Sequence, residues 1–206
     1  MTRLSNRGGT QTPVGAQREE QILKAAAKVF RQYGYHAASI QSIADASGLG
    51  KSSLYHHISN KQELLGTIVD RGVSKVVAAI SSVVESDATP TEKLRSAIEQ
   101  HTAVLTEWLD GAAVAIQERR SLTHDHLENY IGKRDRYEKL FCKIIEQGIE
   151  AGEFRPVNVK FTNIAILQML NGIVYWFNPA GPLAPEQFAA NFFDLAYAML
   201  KRPEKD

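Results

Sequence analysis

The chain has 206 residues, 44% hydrophobic and 23% charged, with a net charge of +1 and a single cysteine, Cys142. That length holds a sizeable core as one domain or two modest ones, and a lone cysteine excludes an internal disulfide and fits a reducing compartment. No apolar run approaches the ~20 residues that cross a bilayer, and MTRLSNRGGTQTPVGAQ lacks the apolar stretch of a secretory signal, so the expectation is a soluble, cytoplasmic protein with no membrane partner.

The charge is unevenly placed. Residues 1–68 hold eight Lys/Arg against four acids, a net of +4, which leaves 16 against 19, or −3, for the rest. A basic first third on a mildly acidic body points to a polyanion as partner of the first part only. Residues 1–16 are rich in Gly, Thr, Ser and Arg without periodicity and read as a flexible basic arm. Arg3 and Arg7 have the chemistry to enter a minor groove, and a solvated tail is the alternative. Ile22, Ala25, Ala26, Val29, Phe30 and Tyr33 then recur at helical spacing up to Gly34.

Two brief helices follow, Ile40 to Ser47 and Lys51 to His57, separated by Gly48-Leu49-Gly50. This is the sequence form of a helix-turn-helix, with Ile43, Leu49 and Leu54 spaced to hold the pair together. The second helix opens with Lys51, Ser52, Ser53, Tyr55 and His56, small or planar hydrogen-bonding groups at a positive helix end. Such a surface suits the major groove of DNA, where phosphates position the helix and base edges are read. Lys61, opening the next helix, is placed for a flanking phosphate; His57 reads as solvated. Asn60 is positioned to cap that helix, which runs to about Ser86. Thr89-Pro90-Thr91-Glu92 is a capping box with proline at the first helical position, starting a helix over 90–108. Further helices are expected over about 111–120, 124–150, 159–177 and 185–201. The 159–177 segment is apolar nearly all round and reads as buried on most sides. No strand or hairpin pattern is found. The expectation is an all-α fold of about nine helices: an arm (1–16), a helix-turn-helix domain (17–66) and a helical ligand-binding and dimerisation domain (67–206).

The segment ILKAAAKVFRQYGYHAASIQSIADASGLGKSSLYHHISNKQELL resembles the DNA-binding domain of the TetR family of bacterial one-component repressors. The resemblance rests on the G-Y-H-A-A-S entry, the I-A-x-x-[AS]-G turn, the K-x-x-L-Y-x-H core and N-K-Q-E-L-L. Gly50 replaces the usual capping serine or threonine of the recognition helix, and Ile58 replaces a phenylalanine. The resemblance implies DNA contact by Ser39, Gln41, Lys51, Ser52, Ser53, Tyr55, His56 and Lys61. It also implies a homodimer held by the last two long helices as a four-helix bundle, which agrees with the need for two recognition helices at half-sites about 34–36 Å apart on a palindromic operator. The alternative is that those helices form only the monomer's core.

The stretch 134–200, with R-D-x-Y-E, G-x-F-R-P, L-N-G-x-x-x-W-F and G-P-L-x-P-E, resembles a subgroup regulating fatty-acid, phenylacetate and sterol-ring degradation. Several of its members respond to CoA thioesters, so the implied effector is an acyl-CoA; a different hydrophobic ligand is the alternative. Ala184 stands where a serine normally caps the last helix. A thioester needs an apolar tunnel and cations at its mouth. Candidate lining residues are Leu105, Trp108, Tyr130, Tyr137, Phe141, Leu170, Val174 and Trp176. Asn171 is positioned either to orient a carbonyl or to bond across the dimer seam. Arg134, with Arg136 and Lys133, is a phosphate candidate, against a solvated helix face. His124 and His126 are two apart and diverge on a helix, so even with His101 or Asp125 no metal is assigned, and no cofactor is expected. Cys142 reads as a buried small hydrophobe. An acyl-CoA enzyme lacks support, since no G-x-S-x-G elbow, metal motif or phosphate loop is present. The histidine- and lysine-bearing helix speaks against a carrier without DNA. The reading is a repressor whose ligand shifts the population toward a form with altered half-site spacing.

Overall fold

The computed structural model describes residues 13–203, which are helical but for turns and one isolated bridge between Phe154 and Lys201. Arg3 and Arg7 lie outside the described residues. The helix α1 (Pro13–Tyr33) starts four residues ahead of position 17 and buries Ile22, Leu23, Ala26, Ala27, Val29 and Phe30. It ends where Gly34 turns with φ 77°.

Next comes α2 (Ile40–Ser47), opened by a reciprocal cap: Ser39 Oγ accepts from the Ser42 N–H at 2.9 Å, and Ser42 Oγ from the Ser39 N–H at 3.1 Å. It closes at Gly48, whose φ of 66° is left-handed and lets the Leu49 N–H reach back to Ala44 O at 3.0 Å. The recognition helix α3 (Lys51–Tyr55) is shorter than the sequence suggests. After Tyr55 the His57 N–H bonds to Leu54 O, a three-residue closure that tightens and ends the helix. Gly50 supplies no side-chain cap, as its identity requires.

The chain then enters α4 (Lys61–Val84), capped by Asn60 Oδ1 accepting from the Glu63 N–H at 2.9 Å. The body continues with α5 (Pro90–Glu107), whose Thr89/Glu92 capping box forms, then α6 (Leu109–Gln117), a 3₁₀ turn (Arg119–Ser121) and α7 (His124–Glu150). The helix expected over 159–177 is broken at Gly172 into α8 (Val159–Asn171) and a single turn, α9 (Ile173–Trp176). The Tyr175 N–H bonds to Gly172 O, one residue closer than an α-helix demands, so the ladder tightens at the residue with the weakest helical preference. The last helix is α10 (Pro185–Leu200). Ala184 offers no side-chain acceptor; only Gln187 Oε1 reaches back, to the Ala184 N–H at 2.9 Å.

Two apolar clusters organise the chain. The first joins α1–α3 with Leu64, Leu65, Ile68 and Val69 of α4, and extends to Trp108, Val114, Ala115 and Leu122 of the body. The second joins Val76, Val77, Ile80 and Val84 of α4 with α5, α7, α8 and α10. One continuous helix thus belongs to both cores. Polar ties reinforce the junction: Gln62 Nε2 donates to Ser121 O at 2.6 Å, and the Tyr35 N–H to Glu118 Oε1 at 3.0 Å. Asp70 of α4 pairs with Lys133 of α7.

Where α7 ends, Phe154 folds back over Gly148 and is fully buried; a Cβ at position 148 would lie 2.0 Å from its ring. Gly148→Ala is expected to cost about 1–3 kcal/mol of stability by overpacking, read as a lowered urea midpoint with unchanged m-value.

Candidate nucleic-acid interface and effector cavity

The helix-turn-helix presents one polar face. Lys51, Ser52, Tyr55 and His56 are exposed and Ser53 half-buried, while Leu54 and Ile43 beneath them are fully buried. Tyr55 is 49% exposed, a large ring left in water with its backbone fixed by the buried Leu54 next to it. Ser39 and Gln41 sit exposed at the entry of α2, with Gln41 Nε2 braced on Asp45 Oδ1 at 2.8 Å. His57 is exposed as well. Seven of the eight sequence candidates are therefore exposed or half-buried on α3 and at the entry of α2.

Lys61 is different. Its ammonium donates to Tyr35 O at 2.8 Å, Ala38 O at 2.9 Å and His36 O at 3.4 Å, and lies 4.4 Å from the Tyr35 ring centroid. All three protons are thus directed at carbonyls that end the α1–α2 turn. This lysine fastens the α1–α2 turn to the start of α4, and a phosphate contact would require it to release one of these carbonyls.

Inside the body lies a cavity of about 370 Å³. Its walls come from the six helices α4 to α9, with Gly72, Val73 and Val76 of α4, His101, Val104 and Leu105 of α5, Ala112, Ala115 and Ile116 of α6, and Tyr130, Arg134, Tyr137 and Glu138 of α7. Trp108, Arg119, Ile164, Leu167, Gln168, Asn171 and Tyr175 complete it. Of the sequence candidates, Leu105, Trp108, Tyr130, Arg134, Tyr137 and Asn171 meet here. Phe141, Leu170 and Val174 do not line it: they are buried in the core behind its wall, because they fall on the inner faces of α7, α8 and α9. Trp176 is half exposed beyond the break at Gly172 and packs on Phe188 and Phe192. The α4 and α6 contributions escaped the sequence reading, since small residues such as Gly72, Ala112 and Ala115 carry no chemical signal until a void is seen beside them.

Three charged residues are in the lining, Arg119, Arg134 and Glu138. Arg119 is exposed, and Arg134 is half-buried with ion pairs to Asp135 at 3.1 Å and Glu138 at 3.2 Å. Lys133 is turned away to Asp70 and Ser74, and Arg136 lies in solvent. Deeper, His101 is 1% exposed, and its Nδ1 lies 3.0 Å from Tyr137 Oη. Burial pushes the imidazole down to about 3, so it is neutral. Burial likewise pushes the Tyr137 phenol up. The other two histidines of the body lie apart: His124 pairs with Glu128 at 3.3 Å on the surface, and His126 packs over Gly66. Cys142 is half-buried rather than enclosed, with burial raising its thiol.

The DNA-binding unit also touches the far end of the cavity's helices. Arg31 of α1 donates to Asp110 Oδ1 at 2.8 Å and to Val174 O at 3.2 Å, clamping α1 to α6 and α9.

Residues 22–68 match the family described as "Bacterial regulatory proteins, tetR family", and residues 87–200 match "Tetracyclin repressor-like, C-terminal domain". The chain belongs to the TetR family. This TetR-family regulator is 31% identical over 184 residues to the HTH-type transcriptional repressor KstR2 of Mycobacterium tuberculosis, covering 85% of this chain and 88% of that one. Among solved structures, the TetR-family regulator PfmR of Thermus thermophilus is 37% identical with a TM-score of 0.80, over 88% and 99% of the two chains. AibR, solved with isovaleryl coenzyme A and operator DNA, is 30% identical with a TM-score of 0.76, over 86% and 97%. These relatives are transcriptional regulators, which sets the chain among regulators and not enzymes. Among the described residues no helix is long and apolar enough to cross a membrane.

Two outcomes follow from the geometry of this TetR-family chain. Lys61→Met leaves three carbonyls without their donor and is expected to cost about 1–3 kcal/mol, read as a lower melting temperature before any DNA is added. His101, whose folded value near 3 lies below its usual 6.5, is protonated in the unfolded chain and not in the folded one across that window. Stability is therefore expected to fall as pH drops from about 6.5 toward 3, with a slope from this group approaching about 1.4 kcal/mol per pH unit. Urea titrations of the wild type and His101→Phe check it, the variant being flatter over the same range.

Proposed function

We propose that this regulator is a cytoplasmic homodimeric repressor that holds a palindromic operator and releases it when an acyl-CoA thioester enters the body cavity. The observation that carries the reading is the double membership of α4. Gly72, Val73 and Val76 wall the cavity, while Leu64, Leu65 and Ile68 of the same helix sit in the core beneath the recognition helix. A ligand that needs more room on the Gly72 side displaces the rod on which α3 is mounted. Mostly apolar walls with Arg119 and Arg134 among the lining residues suit an acyl group against the apolar side chains and phosphates against the arginines. AibR's complex with isovaleryl coenzyme A and operator DNA supports the same pairing of ligand and DNA in a relative of similar fold.

Dimerisation is supported by the apolar surface left on the last helices. Phe161 is 74% exposed, Tyr175 63% and Leu195 57%, with Ile164 and Trp176 beside them. A surface of this kind marks an association site, and two copies joined there present two recognition helices. DNA contact is assigned to Ser39, Gln41, Lys51, Ser52, Ser53, Tyr55 and His56, with Lys61 holding the unit together and adding positive charge nearby.

Fluorescence anisotropy with duplexes from the regulator's own upstream region tests this. Lys51→Ala is expected to weaken binding roughly tenfold and to reduce the salt slope by about one, and Tyr55→Ala to weaken it comparably. Both variants should keep the dimeric mass in light scattering. Leu195→Glu should give monomers that bind the operator poorly. Unchanged affinity in both recognition-helix variants overturns the DNA assignment, and a panel of acyl-CoAs that neither raises the melting temperature nor releases the duplex overturns the effector class.

A further inference from the structure

At the inner wall of the cavity the His101 ring stacks on Tyr137 at 5.7 Å between centroids, and Phe141 closes it edge-on at 6.3 Å. Its Nδ1 is satisfied by the Tyr137 hydroxyl. Its Nε2 is buried and has no hydrogen-bond partner. A polar atom sealed from water without a partner costs stability, so its persistence calls for an explanation.

The protonation of this cluster sets the direction of its hydrogen bonds. The ring is neutral and carries one proton, and the phenol keeps its own. The phenol's hydrogen-bond contact is His101 Nδ1, and a ring proton on Nδ1 would leave the buried phenol hydrogen as well as Nε2 without a partner. Tyr137 then passes its proton toward His101 Nδ1, and the imidazole hydrogen resides on Nε2. The Tyr137–His101 contact thereby fixes the tautomer and leaves one N–H donor unused. Of the cavity's cations, Arg119 is exposed and Arg134 is already paired with Asp135 and Glu138, so a carboxylate beside the buried His101 would lack a free counter-charge.

We infer that His101 is the residue that reads the effector, its Nε2–H donating to an uncharged carbonyl oxygen on the acyl portion, so that the chamber selects by that oxygen as well as by size. This rests on the acyl thioester reading above. Binding includes a local adjustment of the wall that brings the oxygen to Nε2 while Nδ1 stays on Tyr137. The oxygen has two sources, the thioester carbonyl itself and a keto group along the acyl chain, and both offer the same acceptor.

Calorimetric Kd values for octanoyl-CoA, 3-oxooctanoyl-CoA and the octyl thioether of CoA separate them, measured on the wild type, His101→Phe and His101→Gln. In the wild type one pair is expected to differ about ten- to a hundredfold in favour of the extra oxygen: octanoyl over octyl if the thioester carbonyl is read, 3-oxooctanoyl over octanoyl if the keto group is. In His101→Phe the ratio should fall to within about twofold, and His101→Gln, which keeps an N–H, should retain most of it. Should His101→Phe not fold by thermal melt, Tyr137→Phe, which releases the tautomer, must shrink the same ratio. Equal affinities within both pairs in the wild type, or an undiminished ratio in a folded His101→Phe or in Tyr137→Phe, overturn the assignment. If no thioester binds the wild type, the effector class falls and this inference with it, while operator binding by the same preparation stands as a separate result.

Discussion

The structure depends on α4 being unbroken between two cores. Leu64, Leu65, Ile68 and Val69 are sealed into the cluster under the recognition helix, and Val76, Val77, Ile80 and Val84 into the cluster of the body. Between them lies Gly72, without a side chain, against Trp108 and Ala115 at the cavity wall. A packed interior does not deform continuously, so a change of shape at the wall is carried along a rod whose hydrogen-bonded backbone is stiff. The Asp70–Lys133 pair and the His126 ring over Gly66 hold the same helix to α7. Movement at one end of α4 is therefore resisted or permitted by α7, the helix that also supplies Tyr130, Arg134 and Tyr137 to the cavity.

A second route joins the same regions. Arg31 spans from α1 to Asp110 and to the carbonyl of Val174, just past the break at Gly172, and Asn171 on the other side of that break lines the cavity. The glycine lowers the helical stability of this point, and the arginine makes the resulting turn a tie to the DNA-binding unit. On the proposed reading, an effector need only prefer one arrangement of these contacts by about 1–3 kcal/mol to change operator affinity 5- to 150-fold. The ion pair is half exposed, so its value lies in the geometry that it fixes and not in its strength.

The charged and neutral polar groups of the chamber are treated differently. Arg119 is exposed and Arg134 is paired with Glu138, whereas the fully buried His101 and Tyr137 are neutral, since an ion there would be costly. His101 illustrates the rule: burial removes its proton across the physiological range, so it serves as a fixed dipole and not as a pH switch. Several large apolar residues of α8–α10, among them Phe161, Tyr175 and Leu195, break the usual pattern by facing water, and on the proposed reading a second copy covers them.

Much was written in the sequence because it follows from local rules. The helix-turn-helix was legible to within a residue or two, since Ser39, Gly48 and Asn60 are caps whose chemistry acts on neighbouring atoms only, and Ile43 and Leu54 repeat at helical spacing. The exposed polar face of α3 followed from the same periodicity. The capping box at Thr89 and the missing caps at Gly50 and Ala184 were fixed by residue identity alone. What only the tertiary structure decided is which side of each apolar helix faces a void. Phe141, Leu170 and Val174 look like tunnel residues in sequence and prove to be core, whereas Gly72, Ala112 and Ala115 look inert and form the wall. Lys61 turned inward for the same kind of reason: three carbonyls that converge on its ammonium come from a turn more than twenty residues away. Caps and periodicity are properties of a few adjacent residues, but cavities and converging carbonyls are created by the packing of distant segments, and no short stretch of sequence contains them.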